Sequence, residues 1–214
     1  MIKNLHTTFQ ENKFYGISFF VWLIVGAILI FLNEKGDLIL FFNDQRSYYG
    51  DLFFSYATRL GEEVTYLLIL LFFLVYRRKA AWLIPFIGVV VLIVSLGLKE
   101  IFRHDRPIAW FKKQDLFEVL NLIEGQPLLT GASSFPSGHT MSAFALFGLF
   151  ALLVTQKKVI GILIFGLAVL VGFSRVYLIH HFFIDIYVGS IIGTLLAIII
   201  YSFWVRFQPE EPRV

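Results

Sequence analysis

No cysteine occurs anywhere in the 214 residues. That absence excludes disulfides, thiolate metal sites and cysteine nucleophiles, while leaving the redox compartment open. Charge is also scarce, at 15% of residues against roughly 25% in an average soluble domain. The net charge is +3, and no basic run is long enough to track a nucleic acid. No carboxylate cluster suits a two-metal site, no internal repeat recurs, and no low-complexity tract divides the chain. Nothing in the residues calls for a metal, a cofactor or an obligate protein partner. A cleavable leader is also hard to place. Lys3 and Lys13 precede an apolar run, but that run reaches from Phe14 to Asn33 and no small-x-small cleavage site follows it. The run is expected to stay as a first helix.

Hydrophobic residues, by contrast, make up 58% of the chain, and the mean hydropathy is +0.78. A soluble domain of this length could not hide so much apolar surface, so the bilayer has to be its solvent. Uncharged stretches fall at 14–33, 64–76, 80–98, 140–156, 159–174 and 186–205. They are long, continuous and without period-two alternation, which favours helices over barrel strands. The expected fold is therefore all-α. It is a polytopic six-transmembrane-helix bundle forming one domain over 1–214, with a core at about 80–205. The second stretch is short, so its helix is expected to begin near Leu60 and to carry Glu62 or Glu63 at the interface. Segment 34–60 mixes charges with Leu38–Phe42 and Leu52–Phe54. It reads equally as an interfacial amphipathic segment or as a folded loop. The connector 103–135 holds Trp110, Phe111, Lys112 and Lys113, and the tail after Arg206, with Pro209 and Pro212, is expected to fray.

Orientation follows from the tightest loops. Arg77-Arg78-Lys79 and Lys157-Lys158 are wholly basic, and short loops weigh most in the positive-inside rule. With the N-terminus inside, nine Lys/Arg fall on each side. Setting aside Lys99, Arg106 and Arg175, which have a separate task, leaves nine inside against six outside. Both termini are expected in the cytoplasm.

Three polar blocks then stand out: Lys99-x6-Arg106-Pro107, Pro136-Ser137-Gly138-His139, and Ser174-Arg175-x5-His181-x3-Asp185. Each sits at the end of an apolar run, where charge is costly and marks function by default. Alternating six helices across the membrane puts all three on the outer face. Pro136 suits a first helical turn. The free N–H groups near Ser137, Gly138 and His139 would then receive an anion. The plain alternative is a helix start with a surface histidine. His181 and Asp185 lie four apart, so on a helix the carboxylate can fix one imidazole nitrogen and free the other as a nucleophile. The alternative is a polar pair capping helix six. His180 would point about 100° away, toward the interface. Lys99, Arg106 and Arg175 offer charges suited to phosphate oxygens, with interfacial snorkelling as the alternative for each. Arg103 and His104 read as solvated loop.

Together these residues resemble the type 2 phosphatidic acid phosphatase superfamily, which also contains the vanadium haloperoxidases. The pattern Lys-x6-Arg-Pro, Pro-Ser-Gly-His, Ser-Arg-x5-His-x3-Asp is matched in order and in full by 99–107, 136–139 and 174–185. The resemblance covers about 80–205; the first two helices match in general architecture only. It implies that His181 attacks phosphorus and becomes a phosphohistidine, with Asp185 orienting it. It implies that His139 protonates the leaving oxygen and later acts as base on water. Lys99, Arg106, Arg175, Ser137 and the Gly138 N–H would bind the phosphoryl oxygens, without a metal. The expected substrate is a lipid phosphomonoester or diphosphate drawn from the bilayer and processed at the extracytoplasmic face. Undecaprenyl diphosphate or another envelope lipid phosphate of a bacterial plasma membrane is favoured. Transfer to another lipid or sugar, a non-enzymatic lipid or anion carrier, and haloperoxidase chemistry remain as rivals.

Overall fold

A computed structural model of the protein describes residue 10 and residues 12–123, 125–154 and 158–207. Among these residues every regular element is helical and none is a strand. The long helices are α1 (Lys13–Leu32), α5 (Leu83–Phe102), α8 (Lys158–Tyr177) and α9 (Phe183–Arg206). Four segments are long and apolar enough to cross a membrane: Lys13–Leu32, Arg78–Lys113, Val159–Tyr177 and Phe183–Arg206. Two further apolar helices, α4 (Glu63–Tyr76) and α7 (Gly138–Leu153), have 14 and 16 residues. At 1.5 Å per residue each falls short of a hydrocarbon core about 30 Å thick. The short connectors are α2 (Asp37–Asp44), α3 (Tyr48–Ala57) and α6 (Pro107–Lys113).

Segment 34–60 is thus two short helices. Ser47 caps α3 by accepting from the Gly50 N–H. Helix α4 starts later than the expected position near Leu60. A 3₁₀ turn occupies Thr58–Gly61, and Glu62, with ψ at 178°, breaks the helical path before Glu63. The expected frayed tail after Arg206 lies outside the described residues from 208 onward.

Burial orders the bundle. Helix α7 is apolar on every side and most of its residues are buried, which makes it the central helix. Helix α1, in contrast, exposes Phe20, Ile24, Ile28 and Phe31, as a helix facing lipid would. The Trp22 indole of α1 donates to Ser190 Oγ at 2.8 Å and anchors that helix to α9.

The tightest contact joins α7 to α9. A Cβ at Gly189 would lie 2.8 Å from the Ser137 carbonyl oxygen, and one at Gly193 would collide with the Met141 carbonyl. One turn on, Ala197 Cβ meets Gly148. Small residues spaced by four let two backbones touch where lipid supplies no hydrophobic drive between helices. The seam sets α7 and α9 side by side at their N-termini, where the Ser137 N–H donates to the Asp185 carbonyl at 3.0 Å. Gly193→Ala should therefore destabilise the fold by about 1–3 kcal/mol through overpacking. Gly166→Ala, which meets nothing within 4 Å, should be neutral. Thermal unfolding midpoints in detergent check both; equal midpoints would contradict the seam.

Candidate active site

The site begins where α8 ends. The His180 N–H donates to the Arg175 carbonyl at 2.9 Å and the Ile179 N–H to the Val176 carbonyl at 3.0 Å. These are the two bonds of a Schellman motif. Its left-handed position is filled by Ile179, with φ at 58°, where glycine is usual. A β-branched residue there is strained by about 1–3 kcal/mol. The side chain is buried, at 3% exposure, and packing holds it in place. The turn also directs the His181 N–H onto the same Arg175 carbonyl, at 3.1 Å, which fixes His181 against Arg175.

Helix α9 restarts at Phe183, with Asp185 in its first turn. Asp185 Oδ2 accepts from the Phe182 N–H at 2.9 Å, from Ser134 Oγ at 2.5 Å, and faces His181 Nδ1 at 3.3 Å. One carboxylate oxygen therefore caps the helix and orients the imidazole at once. The capping pair expected as an alternative and the histidine-orienting pair are the same object. An Nδ1–H held toward Asp185 leaves Nε2 with a free lone pair. His181 and Asp185 do not share a helical face, because His181 precedes the helix; the turn, not helical periodicity, brings them together.

The cations arrive from other elements. Helix α5 closes with Arg103 in the left-handed region, and the chain runs extended to Arg106, whose conformation the following Pro107 favours. The Arg106 N–H donates to the Gly131 carbonyl at 2.8 Å and the Ser134 N–H to the His104 carbonyl at 3.0 Å. These two bonds tie the connector ends together. Arg106 Nε then donates to Ser133 Oγ and its Nη1 to the His180 carbonyl, both at 3.2 Å. Arg175 Nη1 donates to Thr58 Oγ1 at 2.7 Å. At α7, Ser137 is the cap and not a first-turn residue: its Oγ accepts from the Thr140 N–H and hydroxyl. Pro136 correspondingly lies outside the helix. A Cβ at Gly138 would stand 2.9 Å from Ser95 Oγ and 3.6 Å from Lys99 Nζ. A side chain there would crowd Ser95 of α5, and the absence of one leaves Lys99 at contact distance.

All eight expected site residues converge. Lys99, Arg106, Arg175 and His181 lie within electrostatic reach of His139; the Ser137 N–H donates to the Asp185 carbonyl, Gly138 abuts Lys99, and Asp185 contacts His181. Arg103 and His104 are exposed as expected. His180 differs from expectation. It is buried, at 5% exposure, because the Schellman turn carries it inward instead of around a helix. Sequence reasoning missed Ser134, Thr58, Ser95 and Glu62, whose Oε1 lies 3.6 Å from His139 Nε2. The Ser133-Ser134 pair just before the Pro-Ser-Gly-His block was the available signal. Among the described residues no three His, Cys, Asp or Glu side chains converge as a metal centre would require.

The profile of the PAP2 superfamily matches residues 79–209, more than half of the chain. The protein belongs to the PAP2 superfamily. Phosphatidylglycerophosphatase B of Bacillus subtilis (strain 168) is 38% identical to this PAP2 protein over 86 residues. That match covers 36% of the chain and 42% of the relative. The crystal structure of Aquifex aeolicus LpxE superposes with a TM-score of 0.66 at 28% identity, covering 78% of this chain and 94% of that one. The first transmembrane PAP2-type phosphatidylglycerolphosphate phosphatase from Bacillus subtilis superposes at 0.65. Its identity is 23%, with 91% and 98% of the two chains covered, and the fold is what it shares. With its apolar spans, this PAP2 protein is an integral membrane protein.

Burial shapes the charge states outside the spans. It pushes the His181 imidazole down to about 4, outweighing the upward pull of Asp185, and it pushes His180 well below the usual histidine range. A histidine kept neutral in the fold contributes stability above its unfolded value near 6.5. That contribution is lost as pH falls from there toward 4, because the unfolded chain then binds more protons. The unfolding midpoint of this PAP2 protein should drop steadily between pH 7 and 4.5. A flat profile would mean that His180 and His181 are not buried neutral.

Proposed function

We propose that the protein is a lipid phosphatase whose active site opens on the extracytoplasmic face and works through a phosphohistidine. The observation that carries this reading is a cavity of about 460 Å³. Lys99, Gly138 and His139 line one end of it, and its wall runs on along Tyr66, Val89, Val91 and Leu92 between α4 and α5. A phosphate could sit against Lys99 at that end, which Glu62 and Glu63 also line, while an apolar tail remains among these side chains. Soluble phosphate chemistry would need only the charged end.

His181 Nε2 attacks phosphorus, with Asp185 holding the ring through Nδ1. His139 protonates the departing oxygen, and in the second step it takes a proton from the attacking water. Lys99, Arg106, Arg175, the Ser137 hydroxyl and the Gly138 N–H neutralise the equatorial oxygens. Phosphoryl transfer asks for that stabilisation above all, and here side chains supply the positive charge that Mg²⁺ supplies elsewhere. The N-termini of α7 and α9, set together, add their positive ends. The natural substrate is a lipid phosphomonoester or diphosphate. Phosphatidylglycerol phosphate, after the names of the relatives, and undecaprenyl diphosphate are the first to test. The membrane is a bacterial plasma membrane with both termini in the cytoplasm, a reading supported by the basic loop Arg77-Arg78-Lys79 at the opposite end of α5 from Lys99.

In detergent the protein should release inorganic phosphate from one of these lipids in the presence of EDTA and with no added acceptor. Base quenching should trap labelled phosphate on the protein. His181→Ala should reduce turnover by at least about 10³-fold and abolish the trapped label. Near-wild-type turnover by that variant would remove His181 as the nucleophile. A reporter active only outside the cytoplasm should stay dark when fused after α9 and light up when inserted in the 116–128 connector. The reverse pattern would invert the topology.

A further inference from the structure

Building on the phosphatase reading, we propose that Glu62 is the positioning residue that turns His139 and favours its charged form for acid catalysis. Glu62 lies outside all three sequence blocks. Its Oε1 stands 3.6 Å from His139 Nε2, an ion-pair distance too long for a hydrogen bond, with both side chains 36% exposed. Catalytic contacts are often this loose before substrate binds.

The placement is built. Ser142, one helical turn beyond His139, donates from Oγ to the Gly61 carbonyl at 2.9 Å and lies 3.0 Å from Tyr66 Oη. A Cβ at Gly61 would come 2.9 Å from Val171 Cγ1 and 3.1 Å from the His139 carbonyl, so the chain passes directly over α7 and α8. The extended Glu62 that follows is thereby delivered to the imidazole. The break between the 3₁₀ turn and α4 is the local conformation that does this.

The charges around His139 explain why it needs such a partner. Lys99 comes from α5, Arg106 from the connector, Arg175 from α8 and the His180–His181 pair from the turn before α9. All are cations or potential cations that oppose an imidazolium. Facing them are Glu62 and Glu63, which line the same cavity from the start of α4. Only Glu62 is in ion-pair contact with the ring among the described residues.

The reaction requires that imidazolium. When His181 attacks, the phosphorus–oxygen bond breaks and His139 gives its proton to the departing alkoxide, leaving a neutral alcohol and a neutral His139. Water then attacks the phosphohistidine and yields its proton to His139. The phosphorus–nitrogen bond breaks, releasing inorganic phosphate, free His181 and a recharged His139. Between turnovers, with no phosphate dianion in the site, Glu62 is the counter-charge within reach.

The test compares purified wild type, Glu62→Gln and Glu62→Asp on an alkyl lipid phosphate and on p-nitrophenyl phosphate, whose leaving group needs no proton. Glu62→Gln should lower kcat about tenfold on the lipid and less than about twofold on the nitrophenyl ester. It should also move the alkaline limb of the lipid pH–rate profile down by about one unit, the sign expected when a carboxylate is removed from a histidine. Glu62→Asp should keep that limb near its wild-type position, and it carries the test if the Gln variant is unstable. An unmoved limb, or equal losses on both esters, would overturn this role and leave the phosphatase standing. A wild type that hydrolyses no lipid phosphate would overturn both.

Discussion

The close passage of α9 across α7 is the constraint on which the site depends. Gly189 and Gly193 let the α9 backbone touch the Ser137 and Met141 carbonyls, and that contact registers two helix N-termini against each other. Ser137 caps one and Asp185 sits in the first turn of the other, joined by the hydrogen bond from the Ser137 N–H to the Asp185 carbonyl. A larger residue in this seam would force the helices apart. Ser137, Gly138 and His139 at the start of α7 and the histidine ahead of α9 would then no longer face a common point. The requirement for small side chains in a membrane interior and the requirement for two positive helix ends in one place meet in the same few residues.

Around that seam the remaining groups are held by hydrogen bonds to backbone more than by contact with each other. Arg106 is tied to the His180 carbonyl and Ser133, Arg175 to Thr58, and His181 to the Arg175 carbonyl. The two guanidinium groups repel each other, and each has its own anchor. The strained Ile179 belongs to the same logic. Its left-handed conformation shortens the path from α8 to α9, and without that sharp turn His181 would sit further from Asp185. Strain of a few kcal/mol is tolerated because the buried Ile179 side chain and the two Schellman hydrogen bonds oppose its relief.

Much of this was legible in the residues. The three polar blocks, their order and their position at the ends of apolar runs mark the residues that the fold brings together, because charge beside hydrocarbon has few structural uses. The all-helical character followed from long uncharged runs. The local geometry was less legible, since spacing alone does not tell a helix from a turn. His181-x3-Asp185 has helical spacing yet straddles a helix start, and Pro136, a good first-turn residue, stands outside α7 while Ser137 caps it. His180 was misplaced for the same reason. The Gly189-x3-Gly193 spacing was a visible signal for a close helix contact. Glu62, by contrast, had no signal: its partner is 77 positions away, and only the packing of Gly61 on α7 brings them together.

The distribution of negative charge completes the picture. A pocket made to hold phosphate must be strongly cationic, yet an acid catalyst in it must keep a proton, and those demands conflict. In the proposed mechanism Asp185 and Glu62 resolve the conflict separately. Asp185 is buried and spends one oxygen on Phe182, Ser134 and the His181 ring, so it holds the orientation of one histidine. Glu62 is partly exposed and lines the cavity beside His139, where on the proposed mechanism it offsets the imidazolium. In the proposed mechanism two carboxylates, one dry and one wet, thus serve one histidine each. Their environments differ because one lies at a helix start inside the seam and the other at a helix start on its rim.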